Sequence, residues 1–297
     1  MVPLAPEPMQ IRALSSLDEC RRAAHLEKTI WDYTDDDVIP APIMFVSLKR
    51  GAVLLGAFDD IGDMKGYVYA AAAVKEGRPT LWSHALGVTS ASRGTGVGAA
   101  LKIAQRQQAL RMGLDLIEWT FDPLQAGSAH LNFTKLGIIV EEYDENLYAD
   151  SSSPLHRGAP TDRFVAEWHL STPHVERRIA ATIQANALPS DARRVSGPIG
   201  VRDSAVTAAV LVNPSSGSGE WLEPGHAELD AEAARLLVEI PASFTRMLSE
   251  RPDLARQWRL GTREIFQTYF GRGYRAVDFF LAREQGRGQY LLARAAS

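Results

Sequence analysis

The sequence predicts an α/β (α+β) protein: a mixed central sheet flanked by helices over residues 1–170, followed by a C-terminal α+β extension over residues 171–297. Three observations predict it. Apolar runs of strand length alternate with longer amphipathic segments from Gln10 onward. A glycine-rich stretch, Arg93-Gly94-Thr95-Gly96-Val97-Gly98, joins one such strand to one such helix. The last third of the chain adds the order strand, helix, strand, strand.

Gln10 to Leu14 reads as the first strand, and Ser16-Leu17-Asp18-Glu19 is a capping box that starts a helix running to about Trp31. Cys20 falls inside that helix, where a lone cysteine is expected to pack in the core. The proline-bracketed segment Ile39 to Lys49 predicts a second helix. Ala52 to Phe58 and Gly66 to Val74 are strands on either side of the acidic turn at Asp59 to Asp63, an antiparallel hairpin. Leu81 to Val88 is the strand that enters the glycine-rich loop. The helix beyond carries Val97, Ala100, Leu101 and Ala104 at the spacing of one buried face and ends at Gly113. Leu114 to Phe121 is a strand, Ala126 to Leu136 a helix closed by Gly137, and Ile138 to Glu142 a further strand. Past Trp168 the pattern loosens. Strands are expected at Thr207 to Val212, Leu236 to Ile240, Tyr274 to Ala282 and Gln289 to Ala293, with a loop at Ser215 to Gly219 and a helix from about Asp253 to Phe270.

Composition narrows the function. With 45% hydrophobic and 23% charged residues the chain can bury a sizeable core, and a net charge of -4 offers no basic footprint for nucleic acid. No apolar stretch reaches the ~20 residues of a membrane span, and the start Met1-Val2-Pro3-Leu4-Ala5-Pro6 lacks the charged and apolar regions of a signal peptide. A cytoplasmic protein without membrane or nucleic-acid partners is expected. One cysteine forms no intrachain disulfide and no multi-cysteine zinc site, and no metal is expected.

Three phosphate-binding patterns compete for the glycine-rich loop. A P-loop needs Gly-Lys-Ser/Thr, whereas Gly98 is followed by Ala99 and Ala100. A dinucleotide fingerprint is met by Gly94-x-Gly96-x-x-Ala99, but its turn must follow the strand at once, and Thr89 to Arg93 intervene. The third pattern is Arg93-x-x-Gly96-x-Gly98 opening a helix. Absent side chains there let successive N–H groups at a helix N-terminus reach a pyrophosphate, which the helix dipole also favours.

This third pattern, preceded by Leu86-Gly87-Val88 and followed by Ala129-His130-Leu131-Asn132-Phe133-Thr134-Lys135-Leu136-Gly137-Ile138, resembles the GNAT (GCN5-related N-acetyltransferase) superfamily. The order of elements from Gln10 to Trp168 is similar to that of the family. Ser83-His84, Leu101-Lys102 with Gln105, Trp119 to Leu124, Ala129 to Asn132 and Asp162-Arg163-Phe164 further resemble a branch of succinyl-CoA-dependent D-amino acid N-acyltransferases associated with N-succinylamino acid racemases. The resemblance implies acetyl-CoA or succinyl-CoA as acyl donor. It implies a donor site at Leu86, Gly87, Val88, Arg93, Gly94, Thr95, Gly96, Val97 and Gly98, with Asn132 as a further contact, and a small-molecule amine as acceptor.

Acyl transfer to an amine needs a proton acceptor, an oxyanion site and an acid for the departing thiolate. His84 falls where the family often places a general base, and an imidazole suits that task; a locally packed strand histidine is the alternative. The family often uses a tyrosine as acid, but this sequence has Phe133 in that helix, so Tyr143 or Tyr148 is left to supply the hydroxyl. Acceptor and succinyl carboxylates call for cationic partners, with Arg163 and Arg157 the candidates; a structural ion pair of Arg163 with Asp162 or Glu167 is the alternative. Asp122 either orients the amine or caps the helix after Pro123. Lys102 and Arg106 either meet the 3′-phosphate of the nucleotide or are solvated. The C-terminal part resembles a degenerate GNAT half that covers the acceptor site or pairs subunits into a homodimer; an unrelated appendage is the alternative. A non-catalytic acyl-CoA-binding regulator and a protein-lysine acetyltransferase remain the competing functions.

Overall fold

A computed structural model describes residues 9–149, 159–187, 208–217 and 221–294. The expected contact at Arg157 and the end of the predicted Ser215 to Gly219 loop lie outside the described residues. The elements are, in order, β1 (Gln10–Ala13), α1 (Leu17–Trp31), α2 (Ala41–Leu48), β2 (Val53–Phe58), β3 (Met64–Lys75), β4 (Arg78–Val88), α3 (Val97–Arg111) and β5 (Leu116–Phe121). There follow α4 (Ala126–Ala129), continued by a π-helical stretch at His130–Leu136, then β6 (Ile139–Asp144), β7 (Arg163–His169) and α5 (Pro173–Ala187). The chain closes with β8 (Val210–Leu211), β9 (Arg235–Pro241), α6 (Phe244–Glu250), α7 (Pro252–Gly271), β10 (Tyr274–Ala282) and β11 (Arg287–Arg294). The described residues fall into two compact units, one of 9–119 and 168–187 and a second of 120–149, 159–167, 208–217 and 221–294.

In the first unit β1, β2, β3 and β4 pair antiparallel in sequence order, and β5 joins β4 in parallel. The capping box forms: the Ser16 hydroxyl accepts from the Glu19 N–H at 3.2 Å, and the Glu19 carboxylate accepts from the Ser16 N–H at 3.3 Å. The apolar face of α1 then meets α2 and the sheet in a core that includes Leu14, Cys20, Ala23, Met44, Leu54, Tyr67 and Tyr69. Strand alternation assigns the two faces. At the pair Gly66↔Val88 the space beside Gly66 is filled by Leu101 of α3, while at the next pair, Tyr67↔Gly87, the space beside Gly87 is filled by Ile30 and Trp31 of α1.

In the second unit the strand order is β7, β6, β10, β11, β9, β8, antiparallel except for the last pair. Ala276 of β10 pairs with Val140 of β6, so the C-terminal strands extend the sheet begun by β6 and β7. Aromatic rings fill this core: Phe164 lies 4.7 Å from Phe266 and 5.4 Å from Tyr290, and Phe133 lies 5.6 Å from Tyr290. The buried Phe133 therefore serves as core.

Sequence periodicity missed β7, α5 and α6. Over its described side chains, 173–186, the α5 segment buries Val175, Ile179 and Thr182 among half-buried or exposed positions, which leaves little apolar signal. The buried face of α3 also differs from expectation. Lys102 and Gln105 are buried on it, while Ala100 and Ala104 are half-buried.

Candidate functional site

The site grows from a defect in β4. Tyr69 pairs with Ala85 and Ala71 with Trp82, so Ser83 and His84 together oppose the single residue Ala70. Such a β-bulge bends its strand and increases the local twist. The ladder between β4 and β5 runs over Leu81↔Ile117 and Trp82↔Glu118, up to the bulge, while pairing with β3 continues to Val88. His84 to Val88 is consequently held along one edge, with its backbone groups at the other edge available to a ligand.

Val88 leads into the loop. The Thr89 N–H donates to the Lys65 carbonyl at 2.9 Å, Ser90–Ser92 makes one 3₁₀ turn, and the Arg93 side chain donates through Nε to the Val88 carbonyl at 3.4 Å. Arg93 thus folds the loop back onto the end of β4. Gly94 (φ 78°) and Gly96 (φ 102°) are in the left-handed region that glycine enters freely, and Gly96 is the N-cap of α3. A Cβ on Gly94 would meet nothing within 4 Å, so that side of the loop is open. The N–H groups of the first helical turn have no intrahelical acceptor. The buried Thr89 hydroxyl has no hydrogen-bond partner either. An anionic, oxygen-rich group such as a pyrophosphate suits this donor set and the space beside it. Over Gly96 the loop is covered, because a Cβ there would come within 2.9 Å of the Asn186 side chain of α5. Sequence reading missed Asn186 along with its helix.

His84 is exposed, and desolvation by the surrounding protein lowers its imidazole below the ordinary value, so it is mainly neutral at pH 7. On the helix side of the bulge, the Lys102 ammonium is fully enclosed. Its Nζ donates to the Ser83 hydroxyl at 3.1 Å and to the side-chain amide oxygen Oε1 of Gln105 at 2.9 Å, and lies 3.5 Å from the Trp119 ring centre. Burial lowers its affinity for a proton well below that of a free lysine. Arg106 donates to the Leu170 carbonyl at 2.9 and 2.6 Å. Neither side chain has the solvent-facing placement expected from the sequence.

The remaining candidates belong to the second unit. Asp122 is gripped by Arg259 of α7 in a two-pronged ion pair at 2.7 and 2.8 Å, and also accepts from the Leu124 N–H at 2.9 Å. Burial raises its carboxyl, but the Arg259 charge outweighs this and holds it below the ordinary value. Asp122 does not cap the following helix, whose N-cap is Gln125 without a side-chain bond; its bond to Leu124 closes a turn ahead of that helix, and the Arg259 partner lay beyond local sequence. The Tyr143 hydroxyl donates to Asp162 at 2.6 Å, and burial followed by that carboxylate raises its phenol. Asp162 is in turn held by Arg263 at 2.8 and 2.9 Å. Tyr148 is exposed, shares a 3.2 Å hydrogen bond with Thr120, and lies beneath the Arg163 guanidinium at 5.1 Å. Asn132 is buried in the π-helical stretch.

One further group was not singled out from the sequence. Glu27 of α1 is 2% exposed and Tyr67 of β3 is fully buried, and the two interact without closing a well-formed hydrogen bond. Burial raises the Glu27 carboxyl to about 7, with Tyr67 and the Ile39 N–H pulling in the other direction.

A glycine-rich loop at a helix start, led into by a strand paired along one edge over His84 to Val88, is the candidate site. No protein-family model and no curated protein matches the chain. Solved structures do align with it. An acetyltransferase of the GNAT family from Streptococcus pneumoniae is 18% identical over 54% of this chain and 98% of its own, with a TM-score of 0.44. Aminoglycoside 6′-acetyltransferase type Ii is 16% identical over 55% and 99%, with a TM-score of 0.43. A chain of the NatC complex bound to Gag peptide and CoA is 15% identical over 55% and 99%, with a TM-score of 0.43.

Proposed function

We propose that the protein is an acyl-CoA-dependent N-acyltransferase that moves an acetyl or succinyl group to the amine of a small molecule, a D-amino acid being the favoured acceptor. The observation that carries this reading is the continuous stretch from the β4 bulge to α3. It presents a one-edged strand, an open loop with two left-handed glycines and a helix N-terminus in succession. A CoA pyrophosphate would take the loop, Arg93 would keep the loop closed, and backbone groups of Leu86, Gly87 and Val88 would face the acyl and pantetheine parts. Asn186 would add an amide beside Gly96, with Asn132 a further donor contact. His84, neutral and exposed, is the proton acceptor in this proposal. Tyr148 is the exposed hydroxyl left for the acid role, because Tyr143 is committed to Asp162. Arg163 would meet a substrate carboxylate. Residues 1–170 would form the acyltransferase domain, and the later strands and helices a degenerate half that supports it.

Thiol release from acetyl-CoA and from succinyl-CoA, each offered pooled D- and pooled L-amino acids, tests the proposal. Turnover confined to succinyl-CoA and one pool establishes the narrow reading. CoA binding without turnover of any amine identifies a regulator instead.

Two substitutions probe the assignments. Gly96→Val is expected to weaken CoA binding at least tenfold in calorimetry, since a side chain there intrudes on the cradle and on Asn186. Gly113→Val is the control for backbone strain alone: its φ is 76° and a Cβ there meets nothing within 4 Å. Arg163→Ala is expected to raise KM for a carboxylate-bearing acceptor about tenfold, the loss of one charged hydrogen-bond donor, with CoA affinity unchanged. Equal KM values would remove Arg163 from the acceptor site.

A further inference from the structure

We infer that Lys102 of α3 is a positioning residue for the transfer step: its amine pins the fork between β4 and β5 and so fixes where His84 stands. The inference rests on the acyltransferase reading above. Its first support is the direction of Ser83. Ala85 belongs to the core on the α1 face of the sheet, and the space beside Gly87 is filled from the same side. Regular alternation would turn Ser83 that way too. Its hydroxyl instead meets Lys102 Nζ at 3.1 Å and Gln105 Oε1 at 3.2 Å, both on α3. The bulge takes up this reversal, and His84 is its second residue. Bulges of this kind re-aim a side chain, so whatever holds Ser83 also directs His84.

The place of the amine is the second support. Leu81↔Ile117 and Trp82↔Glu118 join β4 to β5, and the next residues along the two strands are Ser83 and Trp119. Lys102 Nζ reaches both. It bonds Ser83 and lies 3.5 Å from the Trp119 ring centre, with the Trp168 ring centre at 5.6 Å. One group from the helix therefore touches both strands just where they part. An indole face attracts a cation as the two oxygens do, so the amine is held from three directions.

The third support is that the arrangement does not serve stability. Lys102 is 2% exposed, Gln105 is fully buried, and the amine's partners are a hydroxyl, an amide oxygen and indole rings, with no carboxylate among the described residues. Gln105 Oε1 accepts from both Lys102 and Ser83, while its Nε2 is buried without a partner. An enclosed amine and an unpaired amide N–H each cost free energy that apolar side chains would not. Such a network instead specifies a single arrangement of the groups it joins.

The test compares wild type with Lys102→Met and Gln105→Leu in steady-state kinetics, CoA calorimetry and thermal unfolding. Both variants are expected to be at least as stable as wild type, with kcat at least tenfold lower and with acceptor KM and CoA affinity unchanged. A kcat equal to that of wild type overturns the inference. So does a fall in kcat that comes with lower stability and weaker CoA binding, the mark of a merely structural contact. Should Lys102→Met fail to fold, Gln105→Leu decides alone. If wild type turns over no amine, the acyltransferase reading fails separately, and the imidazole signals of His84 decide the pin. They are read by magnetic resonance in protein labelled at histidine nitrogen, assigned by their loss in His84→Gln. Gln105→Leu leaves the charge of the protein unchanged and is made on the helix, so it is expected to displace those signals only by releasing the bulge. Unmoved signals overturn the inference.

Discussion

Replacing Arg259 with methionine is expected to cost about 3–5 kcal/mol of stability, because it leaves Asp122 as a buried charge without its partner. Arg259 is 2% exposed and Asp122 9%, so water reaches neither readily. The Leu124 N–H and the more distant charge of Arg163 would remain to the carboxylate. Removing both charges should be much milder. The double variant Asp122→Leu with Arg259→Met is expected to recover most of the loss, since a buried pair contributes little over apolar side chains of similar volume. Chemical denaturation of the three variants measures this directly, and an Arg259→Met protein as stable as wild type would show that water or another cation reaches Asp122. The pH dependence follows from the lowered Asp122 carboxyl. Its contribution is present above the ordinary carboxylate range and is lost as pH falls through the lower folded value.

Glu27→Gln should act in the opposite direction on stability. The Glu27 carboxyl moves from 4.5 to about 7 on folding, so between these values the folded protein holds a proton that the unfolded chain has released. Stability therefore declines as pH rises from about 4.5 to about 7 and is level beyond. The full decline is about 3 kcal/mol, from roughly 1.4 kcal/mol for each tenfold change in proton affinity. Glutamine cannot ionise and removes this slope. Thermal or denaturant unfolding across pH 4 to 8.5 should show the variant gaining on wild type through that window. Parallel curves would mean that Glu27 ionises as freely in the folded protein as in the unfolded chain.

Most of the first unit was legible because its signals are local. The Ser16 capping box closes, the turn at Asp59 to Asp63 forms, and Gly94 and Gly96 take the left-handed backbone that opens α3, each acting within a few residues. Helical spacing also held an unread signal: Glu27 lies on the α1 face of Cys20 and Ala23, a charge where an apolar residue belongs. Lys102 and Gln105, three residues apart on α3, were similarly readable as one buried polar patch. The bulge at Ser83 and His84 was hidden, since it depends on the register against β3. Beyond sequence reach too were the partners of Asp122, Tyr143 and Asp162, which lie far along the chain or in another element.

The Asp122 to Arg259 pair spans 137 residues, and the Tyr290 hydroxyl reaches back 167 residues to the Pro123 carbonyl. During synthesis, the segment that follows β5 leaves the ribosome long before the side chains that neutralise and enclose it. At a typical elongation rate of about 5–20 residues per second, Asp122 waits on the order of ten seconds for Arg259 to be made. A nascent chain stopped at residue 170 would hold Asp122 without its two-pronged Arg259 partner and an uncovered Phe133. The C-terminal third therefore sets the moment at which the earlier part can finish folding, and shortening the gene to its recognisable first part should yield an aggregation-prone fragment.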